Sequence, residues 1–239
     1  MQESILGFLV TTNDENECLE IIKKSYQNQE SLFIVNINPE IVMKNYQNES
    51  LKKEFNKQKI QIPDGIGIVK ASQMLGGSIK TRITGIDFMD KLCALSCELS
   101  SKVYLYGSKG EVVRKAKREL EKKYSSIQIV GYSDGYVSEE EAFSKIIEAK
   151  PDMVFVGLGS PKQEEFILKY KDKIPSVKIW MPIGGSLDVI SGTLKRAPKF
   201  FIKHHLEWFY RLVKQPKRIF RQFSLVKFII LMKREKHSK

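Results

Sequence analysis

Residues 153–159 read Met-Val-Phe-Val-Gly-Leu-Gly (MVFVGLG), and two other stretches share the form: VYLYG at 103–107 and KIWMPIGG at 178–185. Each is apolar at successive positions rather than at alternate ones. That is the pattern of a strand buried on both faces, as at the centre of a parallel sheet. Each run ends in glycine, where a parallel strand exits toward a ligand crevice and the backbone must come close to its neighbours.

Working outward, strands are expected at Ile5–Thr11, Leu32–Ile37, Lys59–Ile62, Val103–Tyr106, Ile127–Gly131, Met153–Gly157 and Val177–Ile183. Amphipathic runs such as GEVVRKAKRELEKKY (110–124) and SEEEAFSKIIEAK (138–150) lie between them. This alternation predicts an α/β fold, Rossmann-like, with a largely parallel sheet flanked by helices.

The net charge of +12 is concentrated at one end. Residues 195–239 hold fourteen Lys/Arg against only Glu207 and Glu235, whereas the first 194 residues hold 26 bases and 26 acids. The sequence therefore divides into a neutral α/β body, 1–194, and a basic helical appendage, 195–239. In the appendage Ile202, Leu206, Phe209 and Val213 have helical spacing, and Pro216 breaks the pattern, so two short helices are expected. Cationic, aromatic, amphipathic segments suit an anionic membrane surface. Nucleic acid is the competing anion, but no zinc knuckle or RNA- or DNA-binding motif accompanies the charge. An exposed apolar appendage also favours self-association.

No apolar run is long enough to span a bilayer. The N-terminus, MQESILGFLVTTNDE, reads as a first strand rather than a signal peptide, which leads to the expectation of a cytoplasmic protein. Cys18, Cys93 and Cys97 suit reduced, buried thiols without metal-ligating histidine neighbours.

All three histidines, His204, His205 and His237, fall in the appendage. The body therefore holds no Ser-His-Asp triad, and a carboxylate is its natural base. Asp64, between Pro63 and Gly65, and Asp188, after Gly184-Gly185, both sit at glycine-bearing turns. Pro-Asp-Gly is also good turn chemistry in its own right. Asn36 and Asn38 stand at the end of a strand, with Asn38 equally suited to cap a helix beginning at Pro39. Arg82 has the geometry of a phosphate clamp. Gly107, in YGSKG, opens a turn of the phosphate-binding type without completing a dinucleotide fingerprint. In GLGSPKQEE, Gly157 and Gly159 permit close approach of a ligand, while Ser160, Pro161 and Gln163 fit the N-cap, first and third positions of a helix.

Taken in order, NPEIV, PDGIGIV, RITGIDF, YLYGSKGEVV, VGLGSPKQE, IGGSLDVISGTLKRAP and LEWFYRLVKQPKRIFRQ resemble the WecG/TagA/CpsF family of bacterial glycosyltransferases over about residues 32–223. The resemblance implies an inverting transferase, independent of metal or other cofactors, that moves a sugar from a UDP-sugar to a polyprenyl-diphosphate-linked sugar. It would work as a peripheral protein on the inner face of the cell membrane. In TagA-like members the donor is UDP-N-acetylmannosamine and the product is the linkage unit of wall teichoic acid; other members serve other surface polysaccharides. The resemblance also implies Asp64 as catalytic base. Asn36, Asn38, Arg82, Gly107, Gly157, Gly159, Gln163, Gly184, Gly185 and Asp188 would form the substrate pocket. Arg196, Arg211, Arg218 and Arg221 would face lipid diphosphate or membrane. TagA-like members carry Thr where this chain has Asn36. The chain also lacks a metal-ligating Asp-x-Asp. Two other functions compatible with the residues are a non-catalytic nucleotide-sugar-binding module with a membrane anchor and a nucleic-acid binder acting through the basic tail.

Overall fold

The computed structural model describes residues 1–204, 206–214 and 219–237. Six parallel strands form the central sheet: β3 (Leu32–Ile37), β4 (Ile60–Pro63), β5 (Lys102–Gly107), β6 (Gln128–Ser133), β7 (Met153–Gly157) and β8 (Ile179–Pro182). Their order across the sheet is 4-3-8-7-5-6. This is a mixed α/β fold built on a parallel sheet, though not in the dinucleotide-binding order 3-2-1-4-5-6. The expected strands are all present but for one difference. Ile5–Thr11 is a hairpin, β1 (Gln2–Ile5) and β2 (Phe8–Thr11), turned by Leu6 and Gly7 at φ 51° and 83°. Two consecutive left-handed residues make the tight turn whose twist matches antiparallel strands.

Alternation along the strands divides the core into two layers. Phe33, Val35, Ile37, Tyr104, Tyr106, Val154, Val156 and Trp180 face one side. There they meet α2 (Pro39–Asn45), α3 (Glu49–Asn56), α4 (Ile66–Met74), α7 (Glu139–Ala149) and α8 (Lys162–Tyr170). Leu32, Ile34, Val103, Leu105, Met153, Phe155, Ile179 and Met181 face the other. They pack on α1 (Glu15–Gln27), α5 (Gly85–Glu98), α6 (Gly110–Lys123) and α9 (Ser186–Ile190). Local signals set the helix starts. Asp14 and Glu17 form a capping box on α1, and Asn38, Thr84 and Ser138 each accept a backbone N–H in the first turn of their helix. Cys18 and Cys93 are buried without disulfide partners, and burial pushes the Cys18 thiol up to about 12.

The described residues of the C-terminal region form three helices where two were expected: α10 (Lys199–Lys203), α11 (Glu207–Lys214) and α12 (Ile219–His237). The apolar spacing from Ile202 to Val213 runs across a break, because α10 ends at His204 and the Leu206 N–H turns back to the Phe201 carbonyl at 2.7 Å. Pro216 lies outside the described residues. α12 lies on α2 and α4, and its Phe228 and Met232 are buried in the same cluster as Ile41 and Val69. Glu235 Oε2 accepts the Leu6 N–H at 3.2 Å, so the far end of α12 is fastened to the β1–β2 turn. No helix among the described residues is long and apolar enough to cross a membrane.

At the carboxyl edge of the sheet Gly107 pairs with Gly157. A methyl group on Gly107, at φ 137°, would lie 2.3 Å from the Gly157 carbonyl oxygen. Gly159, at φ 78°, has open space where a methyl would go. Gly107→Ala is therefore expected to lower stability by more than about 3 kcal/mol, against about 1 kcal/mol for Gly159→Ala. Urea denaturation of the two variants measures the difference; equal losses would refute this account of the strand ends.

Candidate active site

A cleft of about 640 Å³ opens at the carboxyl ends of β3, β4, β7 and β8. This is where an open parallel sheet presents its connecting loops to a ligand. Each strand delivers one part of the floor. β3 places Asn36 and leads to Asn38, β4 leads to Asp64, β7 to Gly159 and β8 to Gly184 and Gly185.

Asn36 is 7% exposed. Its Nδ2 donates to the Pro182 carbonyl at 2.8 Å, which ties β3 to β8 and turns Oδ1 the other way. That oxygen is buried and has no hydrogen-bond partner among the described residues. A methyl on Gly85 would lie 2.9 Å from Asn36 Nδ2 and 4.0 Å from Asp64 Oδ2, so the amide, the carboxylate and the start of α5 converge on one point. Glycine at 85 keeps that point open. Asp64 is held by its own N–H, which donates to the Ile37 carbonyl at 2.8 Å, and is followed by Gly65 at φ 99°. The left-handed glycine lets the chain turn sharply from β4 into α4 while the carboxylate stays at the cleft.

Asn38 is the N-cap of α2, with its Oδ1 2.9 Å from the Ile41 N–H, and it also lines the cleft. Arg82 stands opposite, only 14% exposed. Its guanidinium donates to the Ile202 carbonyl at 3.3 Å and lies 4.0 Å from the Glu207 carboxylate. The C-terminal helices thus contact the cleft wall directly, and Trp208 lines it beside Glu207.

Gln163 has a different job from the one its sequence position suggests. Pro161, not Ser160, stands at the N-cap of α8, and no side chain caps that helix. Gln163 is buried, and its Oε1 accepts the Gly159 N–H at 3.2 Å and the Gly184 N–H at 3.0 Å. Its Nε2 donates to Glu164 Oε1 at 2.8 Å. The two glycine N–H groups are therefore engaged within the protein and are not free to bind phosphate. Glu164, which the sequence did not single out, is 1% exposed, and its Oε2 has no hydrogen-bond partner among the described residues. Burial pushes its carboxyl up, opposed by the hydrogen bond from Gln163 and by Lys44.

The remaining expected site residues lie elsewhere. Gly107 and Gly157 do not line the cleft; their missing side chains serve the contact between neighbouring strands and the approach of Gly157 to the Gly184 carbonyl. Asp188 Oδ1 accepts the Ser108 hydroxyl at 3.2 Å, joining α9 to the turn after β5, while its Oδ2 lies 3.8 Å from where a methyl on the cleft-lining Gly185 would stand. Arg196 pairs with Asp87 at 2.7 Å at the start of α5. Although burial opposes it, this pair together with the Thr84 hydroxyl holds the Asp87 carboxyl below the usual carboxylate range. Arg211 and Arg221 fall on α11 and α12 by backbone, and Arg218 lies outside the described residues.

The second wall of the cleft was not legible in the motifs. It comes from α12, through Leu225, Phe228, Ile229 and Met232, facing Ile66, Ala71 and Met74 of α4. The spacing 225, 228, 229, 232 is a helix face, but it is hidden in a helix that is apolar on more than one side.

The cleft thus combines the Asp64 carboxylate with amides and the Arg82 guanidinium, with Glu40, Lys44, Lys70 and Glu207 also along its walls and no histidine among its described lining residues. Such groups can orient and deprotonate an alcohol beside an anionic group; they cannot build a histidine-activated nucleophile. Fold and site define an α/β group-transfer enzyme. The chain belongs to the glycosyl transferase WecG/TagA/CpsF family, whose model matches residues 3–239. It is 40% identical over 208 residues to a protein of Bacillus spizizenii (strain ATCC 23059 / NRRL B-14472 / W23), covering 86% of this chain and 80% of the relative. Identity to a Bacillus subtilis (strain 168) protein is 36% over 240 residues, 99% and 93% of the two chains. To a Staphylococcus aureus (strain MRSA252) protein it is 38% over 229 residues, 94% and 89%. All three relatives are N-acetylglucosaminyldiphosphoundecaprenol N-acetyl-beta-D-mannosaminyltransferases.

A carboxyl whose folded pKa is raised contributes most stability below its unfolded value, here 4.5, and loses that contribution as pH rises through the folded pKa. Glu164→Gln keeps the acceptor for Gln163 and removes the ionisation. Relative to this variant, the wild type should lose stability between pH 4.5 and neutrality. Parallel denaturation midpoints for the two proteins across that range would contradict the assignment.

Proposed function

We propose that this protein transfers N-acetylmannosamine or a related hexose from a UDP-sugar to a polyprenyl-diphosphate-linked sugar, with inversion, in the synthesis of a cell-wall polysaccharide. The relatives' activity and the family both favour this reading. Asp64 is the general base. It takes the proton of the acceptor hydroxyl as that oxygen bonds to the anomeric carbon, while the bond from that carbon to the UDP oxygen breaks and UDP leaves with the electron pair. Arg82 offsets the charge of a diphosphate, for which its guanidinium geometry is suited. Asn38 and Gln163 shape the walls, and Gln163 acts by holding the Gly159 and Gly184 loops in place. The sheet then works as Rossmann-like sheets do, with its chemistry beyond the strand carboxyl ends.

The observation that carries the reading is the convergence of the Asp64 carboxylate and the Asn36 amide nitrogen beside Gly85, with the Asn36 oxygen buried and without a hydrogen-bond partner among the described residues. A buried acceptor with no partner is unfavourable by about 1–3 kcal/mol unless a ligand donates to it. One Nδ2 hydrogen goes to the Pro182 carbonyl, and the buried oxygen of Asn36 is left to accept a substrate N–H or O–H. Asp64→Asn should keep the fold and lose at least about a hundredfold in turnover, scored as UDP release from UDP-N-acetylmannosamine with a polyprenyl-diphosphate-linked N-acetylglucosamine acceptor. A near-normal rate would remove Asp64 from the mechanism.

We further propose that residues 195–239 dock the body, residues 1–194, on the inner face of the membrane. Phe223, Val226 and Ile230 project from the side of α12 opposite Phe228 and Met232, and are 68%, 55% and 47% exposed. Lys227 and Lys233 are exposed on the same side, and Phe200, Trp208, Phe209 and Val213 add apolar surface on α10 and α11. Apolar side chains ringed by lysines suit an anionic bilayer. Deleting the whole region would also uncover the core under Phe228, so point changes are the cleaner test. Replacing Phe223, Val226 and Ile230 with serine should reduce sedimentation with anionic vesicles by at least about tenfold without lowering the melting temperature. Undiminished binding, or loss only of self-association in the absence of vesicles, would refute the membrane role of this face.

A further inference from the structure

The cleft has two chemically different ends. Asn36, Asp64, Arg82 and Thr84 lie at one; at the other, faces of α4 and α12 oppose one another with side chains that are apolar apart from Lys70. Ala71 and Met74 share one side of α4, with Ile66 two turns before Met74, and Leu225, Ile229 and Met232 share one side of α12 by the four- and three-residue spacing of a helix. Gly67 lies where the helices come together: a methyl there would meet Pro39 Cγ at 2.6 Å and Leu225 Cδ1 at 3.9 Å. Ile229 is 42% exposed, whereas Ala71 and Met232 are buried, so the groove is open at Ile229 and floored by core side chains.

We infer that this groove is a binding site for the first isoprene units of the lipid acceptor, the units next to its diphosphate. The inference rests on the transfer reaction proposed above, and adds where the chain goes. A cleft that is continuous from a cationic, hydrogen-bonding end to an apolar channel fits an amphiphile with an anionic head. The diphosphate is fixed near Arg82 by charge, and the alkyl chain bonded to it must leave through whichever wall does not require its hydration. The α4–α12 channel is that wall, and its α12 side is the same helix whose opposite face is apolar and exposed. From Ile66 to Met74 the helix advances about 12 Å, room for roughly two or three isoprene units before the chain reaches the outer surface. The groove therefore extracts only the head-proximal part of a long polyprenyl chain and leaves the remainder outside the protein.

Calorimetric titration of the full chain with inorganic diphosphate and with geranyl, farnesyl and geranylgeranyl diphosphate, each below its micellar concentration, tests this directly. Affinity should rise at least about tenfold from inorganic diphosphate to farnesyl diphosphate, and less than about threefold more on adding the fourth unit. In Ile229→Asp and Met74→Asp the farnesyl-to-diphosphate affinity ratio should fall toward one; Leu225→Asp serves as a second wall variant if Met74→Asp fails to fold. Affinity that climbs with every added unit would mean adsorption on the outer apolar face. Affinity indifferent to the chain, or a gain that survives the wall variants, would equally overturn the groove. Binding is read here without sugar transfer, so the two proposals fail separately. A plateau at farnesyl diphosphate in a protein that transfers no sugar would overturn the activity alone. Equal KM for chain-bearing and chainless acceptors, in a protein that does transfer sugar, would overturn the groove alone.

Discussion

The site depends on one buried amide. Gln163 Oε1 takes the N–H groups of both Gly159 and Gly184, and so fixes the ends of two adjacent parallel strands relative to each other. Neither glycine brings a side chain of its own to pack, and each has a left-handed backbone that other residues adopt only with strain. Without the amide, two N–H donors would be left unpaired at the bottom of a cleft. The amide's own orientation is decided by Glu164, which accepts from Nε2 and thereby turns Oε1 toward the glycines. A carboxyl held out of water thus sets the geometry of two loops that it does not touch. Members of such a network hold one another's orientation, which is why a single substitution within it spreads.

Much of this architecture could be read from the chain. Continuous apolar runs ending in glycine marked the inner strands, because a strand covered on both faces has no polar side to show. The hairpin at Leu6-Gly7 was missed since a single apolar residue in a left-handed conformation leaves no compositional trace. The site residues divided along a physical line. Asn36, Asn38, Asp64, Arg82, Gly159, Gln163, Gly184 and Gly185 do line one cleft, because strand carboxyl ends are brought together by the sheet itself. Gly107, Gly157 and Asp188 looked equivalent in sequence but serve contacts between neighbouring elements. A glycine needed by a ligand and one needed by an adjoining carbonyl are identical on paper.

The same limit applied to the carboxylates. Asp64 stood out because of its turn, whereas Glu164 and Glu207 sat among ordinary helical residues and acquired their importance only from burial. Sequence periodicity reports one buried face well. It reports poorly on α12, where Phe228 and Met232 face the body while Phe223, Val226 and Ile230 face outward. Two apolar faces on one helix blur into apparent uniformity, and the half that builds the cleft is concealed by the half that suits a bilayer.

The bond between the Leu6 N–H and Glu235 joins positions 229 residues apart. Loop-closure entropy makes so distant a contact late to form. On a ribosome the strands and their covering helices can assemble while α12 is still being made. The outward apolar face and the last wall of the cleft lie on one helix, so they are made together and after the strands that they cover.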